Sequence, residues 1–246
     1  MNAEERPLNP GEGVIIMDST GPLLGLFQLT DSFFPSGAFA YSWGLETYVT
    51  EGVVTDLEGF NEFLRAYLAG MIARCDALAV KLAFDAAERE DIKAVLRLDR
   101  LIHSMKLSKE LREGSVQTGR QLLKVMGQLH KSAMSGLFAE GIERGETKGH
   151  HAVVFGLVCN TIGTGRDDAV PAYLYSVVSG IVSAGVRLIP LGHTDGQRVI
   201  ERIKPLLIKV AGEITQLDEE DISAFAPGIE IRAMRHEHLY TRLFKS

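Results

Sequence analysis

Cysteine is nearly absent from this 246-residue chain, which carries only Cys75 and Cys159. A disulfide scaffold is excluded, and the scarcity suits a reducing compartment. Proline is sparse at 8 residues, and Trp43 is the single tryptophan. No run of 18 or more uncharged apolar residues occurs, so no membrane span is expected. The first residues lack signal-peptide order, because Glu4, Glu5 and Glu12 stand where a positive segment is needed and Val14–Met17 is too short an apolar run. A flexible leader over residues 1–21 and a cytoplasmic location are expected. An excess of positive charge is also missing. The 26 Lys and Arg face 32 Asp and Glu, a net −6, which gives no support for nucleic-acid binding.

Catalytic signatures are missing as well. There is no G-x-x-x-x-G-K-[ST], H-E-x-x-H, G-x-S-x-G or C-x-x-C. The stretch Gly163-Thr164-Gly165-Arg166 reads as a helix end leading into an acidic helix start at Asp167-Asp168, rather than as a phosphate loop. No privileged nucleophile–base pair stands out, no cofactor is expected, and the chain is read as a non-enzyme.

What is present is helical periodicity. Apolar residues from Leu57 through Phe60, Leu64, Tyr67, Leu68, Met71, Cys75 and Leu78 to Leu82 recur at steps of three and four, on one face of a long helix. Thr55 and Glu58 read as its capping box. Further helices are expected over 96–105, 107–129 and 151–162, the last ended by Gly163. Residues 172–188 read as a fully buried central helix that stops before Pro190. Thr194 and Gln197 read as a second capping box, opening a helix to about Leu217 that Pro205 is expected to kink or break. Gly70, Gly127, Gly156, Gly180 and Gly185 fall inside helices, where close backbone approach is the expected reason and a soft point for conformational change the alternative. Strand signals are weak. The expected fold is an all-α, single-domain bundle of roughly seven to ten helices, with a domain over 22–226 and a tail over 227–246.

Three segments are less ordinary. Residues 26–46, LFQLTDSFFPSGAFAYSWGLE, join a helix end to a Pro-Ser-Gly turn and an aromatic run; this packs against the core or faces a partner. Between Arg100 and Lys131, seven Lys or Arg stand against two Glu. That is either a solvated face or a docking surface for an acidic protein. The segment IEIRAMRHEHLYTRLFKS mixes arginines with aromatic anchors, the composition of an interface. It docks on its own domain or, the favoured reading, on another protein.

Those same segments carry a family resemblance. LLGLFQLTDSFFPSGAFAYSWGLE at 23–46, SKELREGSVQTGRQLL at 108–123, GHHAVVFGLVCNTIG at 149–163, SGIVSAGVRLIPLGHTDGQRVI at 179–200 and MRHEHLYTRLFKS at 234–246 resemble the urease accessory protein UreF family. The chain departs from that pattern at His193 and His238, where glutamine or another polar residue is usual. The resemblance implies an all-α, dimerising, non-enzymatic chaperone for nickel insertion. Its implied partners are a UreD/UreH-like accessory protein, the UreG GTPase, whose GTP hydrolysis it would modulate, and apo-urease. It further implies that Arg235, His236, Glu237, Tyr240, Arg242, Leu243 and Phe244 contact the UreD-like protein. Tyr41, Ser42, Trp43 and Glu46, with Arg187, Gly192 and Gln197, are expected to form a polar feature within or between subunits. Arg187, inside an apolar helix, is expected to have an internal partner. The alternative reading is a nickel-binding protein that uses His193, His236 and His238.

Overall fold

Short polar side chains set most of the helix starts. Asp56, Asp91, Ser108 and Ser132 each accept a hydrogen bond from the backbone N–H three residues on, satisfying donors that a helix leaves orphaned. The computed structural model describes residues 20–245, so nearly all of the expected leader lies outside the described residues. Within them the α-helices are α1 (Thr20–Thr30), α2 (Leu45–Thr50), α3 (Leu57–Tyr67), α4 (Leu78–Glu88), α5 (Ile92–Met105), α6 (Lys109–Leu129), α7 (Ala133–Glu143), α8 (His151–Thr161), α9 (Arg166–Leu188), α10 (His193–Ile214) and α11 (Pro227–His236). A π-helical stretch, Leu68–Ala77, joins α3 to α4, and no strand occurs among the described residues. With α3 to α4 taken as one rod, this is the all-α bundle that the apolar periodicity requires.

α8 is the centre. Every residue from His151 to Cys159 is buried, with α4 on one side and α6 on the other. Gly156 makes this contact possible, since a Cβ there would lie 2.3 Å from the Val80 carbonyl oxygen of α4. Gly185 is pressed on Phe60 and Gly70 on the Phe225 carbonyl, as expected for helix-interior glycines. Gly127 and Gly180 have open space instead, so close approach does not explain them.

Several local expectations are corrected. Asp56, not Thr55, caps α3, with its carboxylate 2.9 Å from Gly59 N. Gly192, not Thr194, precedes α10, and the Asp195 carboxylate accepts from its N–H. Pro205 leaves α10 unbroken from His193 to Ile214. It sits on the solvent side, where water can serve the freed carbonyl, while Val199, Ile203, Leu207, Val210 and Ile214 hold the other face in the core. α9 is not fully buried. By length and composition alone it could cross a membrane, but half of its apolar window is buried in the bundle. Tyr175, Ser183 and Arg187 are exposed on its outer side.

The chain then returns to its beginning. Residues 222–226 run along the π-helical stretch, where Ser223 N donates to Arg74 O and Phe225 N to Gly70 O. α11 comes next, packed on α2 and α6, and residues 237–245 fold back until Lys245 N donates to Ala40 O.

Candidate functional site

Two of the unusual segments meet. Trp43 (φ 56°) and Gly44 (φ 87°) both adopt left-handed backbone, uncommon for a tryptophan. The Trp43 ring is held beside Tyr41 at 5.2 Å. This tight turn starts α2 and sends Glu46 inward. There its carboxylate accepts from His236 Nε2 at 2.9 Å, from Leu243 N at 2.6 Å and from Phe244 N at 3.0 Å. The other ring nitrogen of His236 lies 2.7 Å from Glu110 of α6, which also accepts from Arg242 at 3.1 Å. His236 is wholly buried. Burial pushes the Glu110 carboxyl upward, against the opposing pull of His236 and Arg242.

Other tail groups are matched with the chain's own carboxylates. Arg232 and Arg235 both donate to Glu51 at 2.9 Å, and Arg232 also lies 4.1 Å above the Tyr48 ring. Arg235, first, and Arg232 hold the Glu51 carboxyl below its usual range. Phe244 is buried, and Arg187 stacks on its ring at 4.5 Å. The partners of Arg187 are thus this ring and the carbonyls of Ser183 and Phe39, not a carboxylate. Tyr41 donates to Gln117 at 2.7 Å.

The structure therefore brings Tyr41, Trp43, Glu46, Arg187, His236, Arg242 and Phe244 into one region. Gln197 stands exposed on α10 and joins none of these contacts. Of the tail residues, His236 and Phe244 point inward, while Tyr240 is fully exposed and Leu243 is 64% exposed. A polar cleft of about 270 Å³ lies between the tail and α6, lined by Glu110, Glu113, Gln117, Glu237 and Arg242 among others.

Sequence reasoning missed a second polar centre. Asp99 of α5, wholly buried, accepts from the backbone N–H groups of Lys148, Gly149 and His150 and from the Thr147 hydroxyl. One carboxylate so fixes the loop that enters α8. His150 then contacts Ser115 at 3.0 Å and His103 at 3.0 Å. A serine beside a histidine invites a nucleophile–base reading, which the geometry does not support. Ser115 already accepts from His151 N. It faces a chamber of about 20 Å³, too small for a substrate. Burial, opposed by Asp99 and aided by Lys106, pulls His150 down to about 3, far from a useful base. Nearby, Lys106 and Asp76 form a buried ion pair at 2.8 Å.

Metal chemistry finds no better footing. Among the described residues no three His, Cys, Asp or Glu side chains are grouped to hold an ion. Both ring nitrogens of His236 already face carboxylates, while His193 and His238 are exposed.

A helical bundle that uses its buried ionisable groups to hold its own loops and tail, and leaves aromatic side chains outside, has the anatomy of a binding protein. Comparison with known proteins specifies which kind. A family model described as UreF matches residues 54–204. The urease accessory protein UreF of Bacillus sp. (strain TB-90) is 40% identical over 224 residues, 91% of this chain and 99% of that relative. The proteins of the same name from Lachnoclostridium phytofermentans and Streptococcus salivarius are 37% and 35% identical. They cover 91% and 97% of this chain and 98% and 99% of their own lengths. The chain belongs to the UreF family of urease accessory proteins.

Proposed function

We propose that this chain is a scaffold in urease maturation. It links a UreD/UreH-like accessory protein and the UreG GTPase to apo-urease during nickel insertion, and it modulates GTP hydrolysis by that partner. It acts in the cytoplasm as a homodimer. Modulating a GTPase needs no nucleotide site of its own, only a surface that orders the partner's switch segments.

The observation that carries this reading is the docked C-terminal segment. Its buried members, His236 and Phe244, fix a shape whose outer members, Ile231, Met234, Tyr240 and Leu243, are exposed apolar side chains. Arg235, Glu237 and Arg242 lie among them. A tyrosine and leucine on a rigid support, rimmed by arginine, suit a protein contact. A second set, Phe27, Phe33 and Phe39, is exposed on α1 and the loop after it and supports self-association.

The test is co-purification with the UreD-like protein, with and without residues 234–246. Loss of the complex on deletion is expected, and equal recovery would remove the tail assignment. The alternative, nickel held by the C-terminal histidines, would require His236 to give up a carboxylate partner. Calorimetry with nickel on the isolated chain addresses it, and absence of saturable binding at micromolar metal is expected.

A further inference from the structure

The arginines of this protein are held in different ways. Arg97, Arg144, Arg198, Arg232, Arg235 and Arg242 each contact a carboxylate within 3.3 Å. Arg112 and Arg120 on α6 do not; like Arg100 and Arg187, they donate to main-chain carbonyls instead. Arg112 donates to the carbonyls of Lys106 and Leu107 at 2.9 and 3.1 Å, and Arg120 to the carbonyl of Lys148 at 2.8 Å. Their guanidinium groups are oriented by the main chain while their charge stays uncompensated. Lys109 and Lys124 are exposed on the same helix, and Lys148 is exposed beside Arg120. Among the described residues none of these five has a carboxylate within salt-bridge distance; Glu113 is the exposed acid on α6, and Glu110 and Glu237 line the cleft at its Lys109 end.

We infer that the outer face of α6, from Lys109 to Lys124 with Lys148, is a docking surface for an acidic segment of a protein partner. This rests on the maturation-scaffold reading and adds a surface separate from the tail. An arginine already held in place presents its remaining N–H groups as a fork that fits a carboxylate in bidentate fashion. Less side-chain freedom is lost on binding when the fork is oriented beforehand. The rest of the chain is acidic, so an acidic partner is repelled elsewhere and guided to this face. Nucleic acid fits less well, because no exposed aromatic side chain between Lys109 and Lys124 offers a base a stacking platform. An anionic membrane fits less well too, because none of the exposed large apolar side chains lies in that stretch to insert.

The test uses the full chain and a fluorescent peptide of alternating glutamate and glycine, followed by anisotropy. The variant Lys124→Glu with Lys148→Glu is suited to it, because neither side chain makes a hydrogen bond or ion pair in the fold. The control is Lys204→Glu with Lys209→Glu on α10, which changes net charge equally. The face variant is expected to lose about tenfold in peptide affinity and the control about twofold or less. Arg112→Lys with Arg120→Lys, which keeps charge but loses the fork, is expected to fall between them. In cells lacking the native protein, the control is expected to restore urease activation and the face variant to restore about tenfold less. The inference is overturned if face and control variants bind the peptide alike. It is equally overturned if the face variant restores urease fully, or if an RNA oligomer or a phosphatidylserine vesicle binds this face more tightly than the peptide. Failure of the unaltered chain to restore urease would instead refute the scaffold reading, leaving the peptide measurement to decide the surface.

Discussion

Glu46 and His236, 190 positions apart in the chain, meet at 2.9 Å inside the protein, and the histidine has no exposed surface. Glu110 faces the same ring from the other side at 2.7 Å. Replacing His236 by Ala would leave the buried Glu46 carboxylate and the half-buried Glu110 carboxylate facing a void. Unfolding in urea should show a loss of about 1–3 kcal/mol, the usual cost of leaving buried hydrogen-bonding groups without a partner. Residues 237–245 should become a preferred site of limited proteolysis. A change below about 1 kcal/mol would mean the network is not what holds the tail.

Gly119 and Gly127 lie on one helix and should respond oppositely to alanine. A Cβ at Gly119 would stand 2.2 Å from the Gly149 carbonyl oxygen, in main chain that Asp99 has already fixed. Gly119→Ala should destabilise by about 2–3 kcal/mol through overpacking. Gly127 has nothing within 4 Å, and Gly127→Ala should stabilise by about 0.5–1 kcal/mol through helix propensity. Paired thermal melts check both signs.

Acid should weaken the fold before its carboxylates titrate. Burial pulls His151 down to about 4, with Lys106 adding to the effect, and His150 to about 3, from an ordinary 6.5. A depressed folded value means stability is present above the unfolded value and is lost as pH falls toward the folded one. Below about 6.5 the unfolded chain takes up two protons that the native protein refuses. Each histidine then costs about 1.4 kcal/mol per pH unit. Between about pH 7.5 and 5.5 the two together should remove about 2.7 kcal/mol, measurable as a shift in urea midpoint. A flat profile across that window would contradict the neutral burial of these rings.

Tyr240 is fully exposed, so its removal should separate binding from folding. Tyr240→Ala should leave the melting temperature unchanged, within about 0.5 kcal/mol. It should weaken capture of the UreD-like protein by about 2 kcal/mol if the tyrosine anchors the contact. Unaltered capture would place the anchor elsewhere, with Leu243 the next exposed candidate.

Periodicity made the helices legible, since a face such as Phe60, Leu64, Tyr67 and Met71 repeats at the helical step and that step is local. Caps were off by one residue at Asp56 and two at Gly192, because several polar residues compete at each start and only packing selects one. Charge counting misled at Lys106, which adds to the basic total of 100–131 yet is buried against Asp76. The Asp99 centre was not legible, and at Glu46 a polar feature was expected but not its pairing with His236. Asp99 with His150 and Glu46 with His236 join positions 51 and 190 apart, and nothing local in either segment announces its partner. The tail's composition did mark it as unusual. Which of its side chains turn inward depends on Glu46 and Glu110, far away in sequence.

The carboxylate of Glu46 also has a history within each molecule. It is made early, and the groups that satisfy it, His236 and the N–H groups of Leu243 and Phe244, come from the last stretch of the chain. During synthesis the α2 region therefore waits with an acid that prefers water, and burial of that helix end cannot finish until residue 244 has emerged. Such a long closure is slow compared with local helix formation. It also makes the protein self-auditing: a chain truncated before its tail keeps Glu46 wet, leaves the Phe244 niche beside Arg187 open, and exposes the defect on its surface.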